Sequence, residues 1–190
     1  LIGGGQVWPA LSNIVDFITF SQRANAVDFG DLTVARRNLI GNGNQTRGVF
    51  AGGQTPTVVN TIEYITIPTT GNAQDFGDLT VARIETRGVS SSTRACMMSG
   101  YAAPANLNII DFVTIATKGN AMDFGDLTET INVAQSASDS IRGVRMGGIT
   151  PLDTSMDYIN IATQGDAVFF GDLLSTHKEG AGCSNAHGGL

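Results

Sequence analysis

Followed position by position, the chain breaks into short runs of alternating apolar and polar residues separated by Gly, Asn, Pro and Ser. The runs 61–67 (Thr-Ile-Glu-Tyr-Ile-Thr-Ile) and 109–115 (Ile-Ile-Asp-Phe-Val-Thr-Ile) are rich in β-branched and aromatic residues, which marks strands rather than helices. No amphipathic helical stripe is found. Side chains alternate sides along a strand, so Ile62 and Tyr64 face one way and Ile65 and Ile67 the other. Both faces are therefore apolar, and the strand reads as covered from both sides.

The pattern recurs, and the recurrence decides the fold class. Asp-Phe-Gly-Asp-Leu stands at 28–32, 75–79 and 123–127, with the variant Phe-Phe-Gly-Asp-Leu at 169–173. Its central aromatic, at Phe29, Phe76, Phe124 and Phe170, advances by 47, 48 and 46 residues, and the acid that closes it falls at Asp31, Asp78, Asp126 and Asp172. A small turn precedes each copy: Ala24-Asn25-Ala26, Gly71-Asn72-Ala73, Gly119-Asn120-Ala121 and Gly165-Asp166-Ala167. Further upstream an acid adjoins an aromatic, at Asp16, Glu63, Asp111 and Asp157. Before that comes a glycine pair, weakened to Ser99-Gly100 in the third copy, itself preceded by Arg47, Arg94 or Arg142. The repeats run roughly over 1–46, 47–93, 94–141 and 142–190 within a single domain.

Each repeat has room for four short antiparallel strands, expected in the second copy near 47–53, 61–67, 73–81 and 88–93. One such sheet cannot bury two apolar faces alone, whereas sheets stacked face to face around an axis can. The expected fold is an all-β propeller. A strand ending in Gly-Gly, then Tyr64, then the larger aromatic Phe76, at a period near fifty, resembles the kelch repeat of β-propellers. The sequence departs from it where Phe76 lies twelve residues after Tyr64, since kelch repeats place Trp close after Tyr. The form Gly-Asn-Ala-x-Asp-Phe-Gly-Asp-Leu-Thr is similar to kelch-like repeats in structural and tail-appendage proteins of bacteriophages and other viruses.

The tail at 187–190 falls in the register of 47–50, and the opening Leu-Ile-Gly-Gly-Gly matches 49–53. Two readings fit: a four-bladed ring whose ends share a strand, or a piece of a ring with more blades. A start at Leu rather than Met favours the second.

Composition narrows the partners. Two lysines and nine scattered arginines against 17 acids, for a net charge of −6, offer no basic stripe for nucleic acid. No apolar run approaches the ~20 residues of a membrane-spanning helix. Two cysteines are too few for a disulfide framework.

Candidate chemistry is sparse. Asp-Phe-Gly repeated three times without other kinase signatures is no kinase site. Asn72, Asp75 and Asp78 offer oxygens to calcium, but Phe169 replaces the corresponding Asp in the fourth repeat, and local backbone bonding is the preferred role. His177, Cys183 and His187 match no zinc spacing. No Gly-x-Ser-x-Gly elbow occurs. Asn44-Gln45-Thr46 fits the N-glycosylation pattern, which has meaning only in a eukaryotic secretory setting. The recurring acids and Arg47, Arg94 and Arg142 are expected to pair across strands or blades. Binding specificity is expected in the loops after the glycine pairs, which carry Trp8, Pro56, Tyr101, Pro104 and Pro151.

The expectation is thus a protein without catalytic, cofactor or metal residues. The viral resemblance implies a virion or extracellular structural and recognition module, such as a tail fibre, an appendage or a capsid decoration. Its partners would be other virion or surface proteins in a larger assembly, or host glycans. The alternative is a carbohydrate-binding propeller using Trp8 and Tyr101.

Overall fold

The computed structural model describes residues 1–149, 152–177 and 179–183, which form strands and no helix. In the first repeat β1 (Ile2–Gly3), β4 (Ile14–Phe17) and β5 (Val27–Asp31) make a three-stranded sheet, and β2 (Gln6–Val7) and β3 (Ala10–Leu11) form a separate hairpin between β1 and β4. The second sheet is the antiparallel meander β6 (Ile40–Gly43), β7 (Arg47–Ala51), β8 (Thr61–Thr66), β9 (Gln74–Asp78). The third contains β10 (Arg87–Ser90), β11 (Arg94–Met98), β13 (Ala105–Thr114) and β14 (Met122–Ile131), with the short β12 (Tyr101–Ala102) folded back on β13. The fourth is β15 (Gln135–Ser138), β16 (Arg142–Gly148), β17 (Asp153–Asn160) and β18 (Val168–Asp172). The strand just before each repeated arginine pairs with the strand that arginine opens, so the sheets are offset by one strand from the sequence period. Pro151 lies outside the described residues.

Asp-Phe-Gly-Asp encodes a β-bulge. In the second sheet Ile62 opposes Gly77 and Glu63 opposes Asp75, which leaves Phe76 as the extra residue. Phe29, Phe124 and Phe170 are bulged in the same way. A bulge bends its strand and redirects a side chain, and each bulged Phe meets the aromatic of the adjoining strand edge to face. Centroid separations are 5.8 Å for Phe17–Phe29, 5.8 Å for Tyr64–Phe76, 5.7 Å for Phe112–Phe124 and 5.9 Å for Tyr158–Phe170. The glycine after the Phe takes φ of 146°, 148° and 143° at Gly30, Gly77 and Gly125, a region open to glycine and strained for other residues. The same backbone lies against the turn of the next sheet: a Cβ on Gly77 would strike the carbonyl oxygen of Gly119, and one on Gly30 that of Gly71.

Consecutive sheets pack face to face over three cores. Val15, Phe29 and Leu32 meet Phe50, Ile65 and Ala73; Ile62, Tyr64, Phe76 and Leu79 meet Met97, Val113 and Ala121; Ile110, Phe112, Phe124 and Leu127 meet Ile159, Ile161 and Ala167. Strands buried on both sides are apolar on both sides, which explains the continuous apolar runs.

The hairpins joining first to second strands repeat a side-chain cap. Asn44 Oδ1, Ser91 Oγ and Asp139 Oδ1 each accept backbone N–H bonds from the residues two and three ahead. The N–H groups of Arg142 and Ile141 hold the Asp139 carboxyl below the usual range. The Asn44 side chain that sequence marks as a glycosylation acceptor is engaged here, its Nδ2 also donating to Ser92 O at 2.7 Å.

Two glycine substitutions separate backbone strain from sheet contact. Gly171 has φ of 153° but a Cβ there would meet only Met156 Cε at 3.6 Å. Gly171→Ala is expected to cost about 1–3 kcal/mol in urea unfolding, the strain of the positive φ. Gly77→Ala should cost clearly more, because it also separates two sheets; equal losses would contradict the packing described.

Candidate functional site

The most elaborate polar constellation lies between the sheets. Glu63, Asp111 and Asp157, on the third strands of their sheets, have 0% exposure. A carboxylate at such a position must be paired and hydrogen-bonded to remain charged. The residue after Asp-Phe-Gly-Asp-Leu in the preceding sheet does much of this. Thr80 donates to Asp111 through its N–H at 3.1 Å and its hydroxyl at 2.6 Å. Thr33 makes the same two bonds to Glu63, and the Thr128 hydroxyl reaches Asp157 at 2.7 Å.

An arginine completes each set. Arg83 Nη1 lies 3.0 Å from Asp111, while its Nη2 donates to Met97 O at 3.0 Å and its Nε to Thr86 Oγ1 at 3.3 Å. Arg36 pairs with Glu63 at 3.5 Å and donates to the carbonyls of Thr61 and Phe50. Both guanidiniums reach forward from the preceding sheet. Burial lowers their pKa from the ordinary arginine range, and the facing carboxylates oppose that shift.

At the third interface the source of the arginine changes. The Arg36 and Arg83 register is occupied by Ile131, itself buried, and Asp157 is paired by Arg145 from β16 of its own sheet. Arg145 also donates to Ser155 O and Gly147 O, both at 3.1 Å, and pairs with Asp153 at 3.2 Å. Burial raises Asp153, but bonds from Ser155 and Arg145 outweigh it and leave that carboxyl below its ordinary range. The charge balance survives although the cation enters from the other side. Asp16 occupies the same register in the first sheet, half-buried, with no arginine or threonine against it among the described residues.

Arg47, Arg94 and Arg142 do not make the expected carboxylate pairs: none forms an ion pair among the described residues. Arg47 stacks on Tyr64 at 4.7 Å from its centroid, Arg94 on Phe112 at 4.8 Å and Arg142 on Tyr158 at 5.1 Å. Arg47 and Arg94 also donate to the carbonyls of Ile115 and Ile161 in the next sheet. The reason is positional. Each opens a second strand three pairs away from the acid on the third and two pairs from the aromatic, so it shares a face with the aromatic rather than the carboxylate.

A second repeated bond joins the small turns to the preceding sheet. The backbone N–H groups of Asp31, Asp78 and Asp126 donate to the side chains of Asn72, Asn120 and Asp166 at 3.0–3.1 Å. This occupies the Asn oxygen considered for calcium. Gly71, Gly119 and Gly165 donate their N–H to the carbonyls of Phe29, Phe76 and Phe124 at 2.8 Å. Asp172, on the last strand, instead accepts from Thr154 within its own sheet.

The loop aromatics do not form a set. Trp8 is 83% exposed at the tip of the β2–β3 hairpin. Tyr101 is half-buried and bridges Ile84, and Ala103 rather than Tyr101 matches the register of Trp8. His177 bonds Ser175 Oγ at 3.0 Å, Cys183 is exposed, and His187 lies outside the described residues. No group of three His, Cys, Asp or Glu side chains suited to a metal gathers among the described residues.

Sequence reasoning missed Thr33, Thr80, Thr128, Arg36, Arg83 and Arg145. The signal was present in part, since Leu-Thr-Val-Ala-Arg recurs verbatim at 32–36 and 79–83. Fold and site define an all-β protein of repeated sheets tied by buried ion pairs. Compared with known proteins, the chain matches no protein-family model and no curated protein.

Asp111→Ala is expected to destabilise by about 3–5 kcal/mol because it strands the Arg83 charge in the interior, whereas Asp111→Leu combined with Arg83→Met should cost far less than the sum of the single changes. Chemical denaturation of the three variants checks this, and additive losses would contradict it. Arg47→Ala, by contrast, should cost about 1 kcal/mol. Burial pushes the Cys96 thiol up to about 12, with Arg94 opposing. Alkylation of the native chain at mildly alkaline pH should therefore label Cys183 alone, and denatured chain both; rapid native labelling of Cys96 would contradict its burial.

Proposed function

We propose that these sheets are consecutive blades of a kelch-like β-propeller that acts as a non-enzymatic structural and recognition module of a virion, as a tail fibre, appendage or capsid decoration. The observation that carries the propeller reading is a cavity of about 330 Å³ lined by Asn38, Glu85, Val133 and Glu179. These are equivalent residues of successive repeats, all non-glycine and all with φ between 51° and 57°. Sheets packed ~10 Å apart in a straight stack would spread the four over roughly 30 Å. Their convergence supports a common axis. So does the close approach of the first strands, β6 to β10 and β10 to β15, linked by Ser90 Oγ to Gly43 O and Ser136 Oγ to Gly88 O, both at 2.9 Å.

The role as a module is supported by how the repeated polar groups are used. Acids, threonines, arginines and the turn asparagines bind sheet to sheet, which leaves contacts with other molecules to the variable loops. The virion setting rests on the sequence resemblance. Partners would be other virion or surface proteins. Immunogold labelling of a tagged chain is expected at symmetry-related positions on assembled particles, and a tagged chain recovered free of particles would contradict the assignment.

The exposed indole of Trp8 favours one second reading, attachment to a glycan by stacking. On a glycan array Trp8→Ala should then abolish retention while leaving thermal stability unchanged; retention unaffected by the change would dismiss this reading.

A further inference from the structure

The β8–β9 hairpin of the second sheet carries a pocket of about 180 Å³ lined by Tyr64, Thr66, Thr69, Thr70, Asn72 and Gln74. That sheet has another packed against each of its faces, so both neighbours that border the pocket are in place. Sites for drug-sized ligands start at roughly 300 Å³. This one has room for a single small ring.

Its wall is rich in unused donors. The Tyr64 hydroxyl donates to Gln74 Oε1 at 2.8 Å, and Asn72 Oδ1 accepts the N–H of Asp31 at 3.1 Å. Both amides thus engage their oxygens within the protein and keep their NH₂ groups free. The hydroxyls of Thr66 and Thr70 make no hydrogen bond among the described residues, and a hydroxyl donates or accepts as its ligand requires. Such a wall suits a ligand covered in oxygen atoms.

Positive charge gathers at the same place. Arg47 Cζ lies 4.7 Å, and Lys118 Nζ 5.1 Å, from the centroid of the Tyr64 ring that walls the pocket. Arg47 opens β7 of the same sheet, whereas Lys118 comes from the turn between β13 and β14 of the next. Neither forms an ion pair among the described residues, on a chain whose net charge is −6. Two like charges over one ring repel, and an anion bound beside them would remove that repulsion.

The other repeats show which of these residues the sheet itself does not need. In register with Gln74 stand Val27, Met122 and Val168; in register with Lys118 stand Arg23, Thr70 and Gln164. Gln164 ties its amide to the carbonyl of Asp123 in the preceding sheet, while the Lys118 ammonium makes no hydrogen bond among the described residues. The Tyr64–Gln74 bond, the free donors and the two cations therefore coincide in the second sheet alone among the four described. Residues that serve the repeat's own packing recur; these do not.

We propose that this pocket binds one sugar acid, a six-membered ring bearing a carboxylate and several hydroxyls. The carboxylate lies toward Lys118 and Arg47, since charge-assisted bonds from an ammonium and a guanidinium suit it. The hydroxyls meet Thr66, Thr70, Asn72 and Gln74. The pocket has the volume of about six waters at ~30 Å³ each, which a bare oxyanion would leave largely unfilled. The inference goes beyond the glycan reading built on Trp8: it concerns another sheet and depends neither on that indole nor on the virion setting.

Titration of the chain with sodium glucuronate and with N-acetylneuraminate, against glucose and inorganic phosphate, tests it by amide shifts in two-dimensional NMR. At least one sugar acid is expected to shift the amides of residues 66–74 with a Kd on the order of 1 mM, at least roughly tenfold tighter than glucose or phosphate. Lys118→Gln takes the residue of the fourth repeat and Gln74→Met that of the third, so both should keep the wild-type melting temperature. Each should weaken binding roughly tenfold, and Trp8→Ala should bind as the wild type does. The wild-type titration carries the test by itself should a variant lose its fold. Absence of sugar-acid binding at tens of millimolar overturns the proposal, as does glucose or phosphate binding equally well, or either pocket variant binding with wild-type affinity. Shifts confined to the Trp8 hairpin would also overturn it, and would favour the Trp8 reading instead.

Discussion

A carboxylate buried between two sheets can keep its charge only if the neighbouring sheet arrives in the right register. Glu63, Asp111 and Asp157 make this demand once per interface: a threonine hydroxyl of the preceding sheet meets each, Thr33 and Thr80 adding their N–H, and a guanidinium completes each set, from the preceding sheet at Glu63 and Asp111 and from its own sheet at Asp157. Such pairs add little net stability relative to a well-packed apolar substitute, because desolvation offsets most of their attraction. Their effect is selective. At Glu63 and Asp111 a slip of one residue would leave the acid facing Leu or Val and the guanidinium without its anion. Apolar faces of Ile, Val, Met and Phe could slide over one another at small cost; the buried ions remove that freedom.

The bulge and the clamp are parts of one device. Bulging at Phe76 turns that ring onto Tyr64 and lets Gly77 press against the Gly119 carbonyl. The strand is then set so that Thr80, four residues after Phe76, reaches Asp111 in the next sheet. The same order holds from Phe29 to Thr33 and from Phe124 to Thr128. Arg47, Arg94 and Arg142 act at a different level. They stack on Tyr64, Phe112 and Tyr158, and Arg47 and Arg94 also tie to carbonyls of the next sheet, an arrangement suited to guanidinium planarity.

Much of this was legible in the order of residues. The period, the all-β class and the approximate strands follow from alternation, from Gly and Asn punctuation and from recurring Asp-Phe-Gly-Asp. The expected strands at 47–53, 61–67 and 73–81 correspond to β7, β8 and β9. The pairing of charges was not legible, because spacing along the chain does not say which sheet a strand joins. Arg47 recurs as regularly as Glu63, yet it falls beside the aromatic. Arg83 recurs only twice before Ile131 replaces it, and its substitute Arg145 comes from another strand, so no column of identical residues marks the clamp. Tyr101 and Trp8 share a loop type but not a position, a difference visible only once β12 and the β2–β3 hairpin are in place.

The register argument turns on the contact from Thr80 to Asp111, which crosses from one sheet to the next and involves neither strand pairing nor hydrophobic burial. A double-mutant cycle with Thr80→Val and Asp111→Asn, read by equilibrium unfolding, measures that contact directly. A coupling of about 1 kcal/mol or more is predicted for residues sharing a buried hydrogen-bond network. Additivity within about 0.3 kcal/mol would mean that the two residues do not communicate, and that the sheets find their register by some other means.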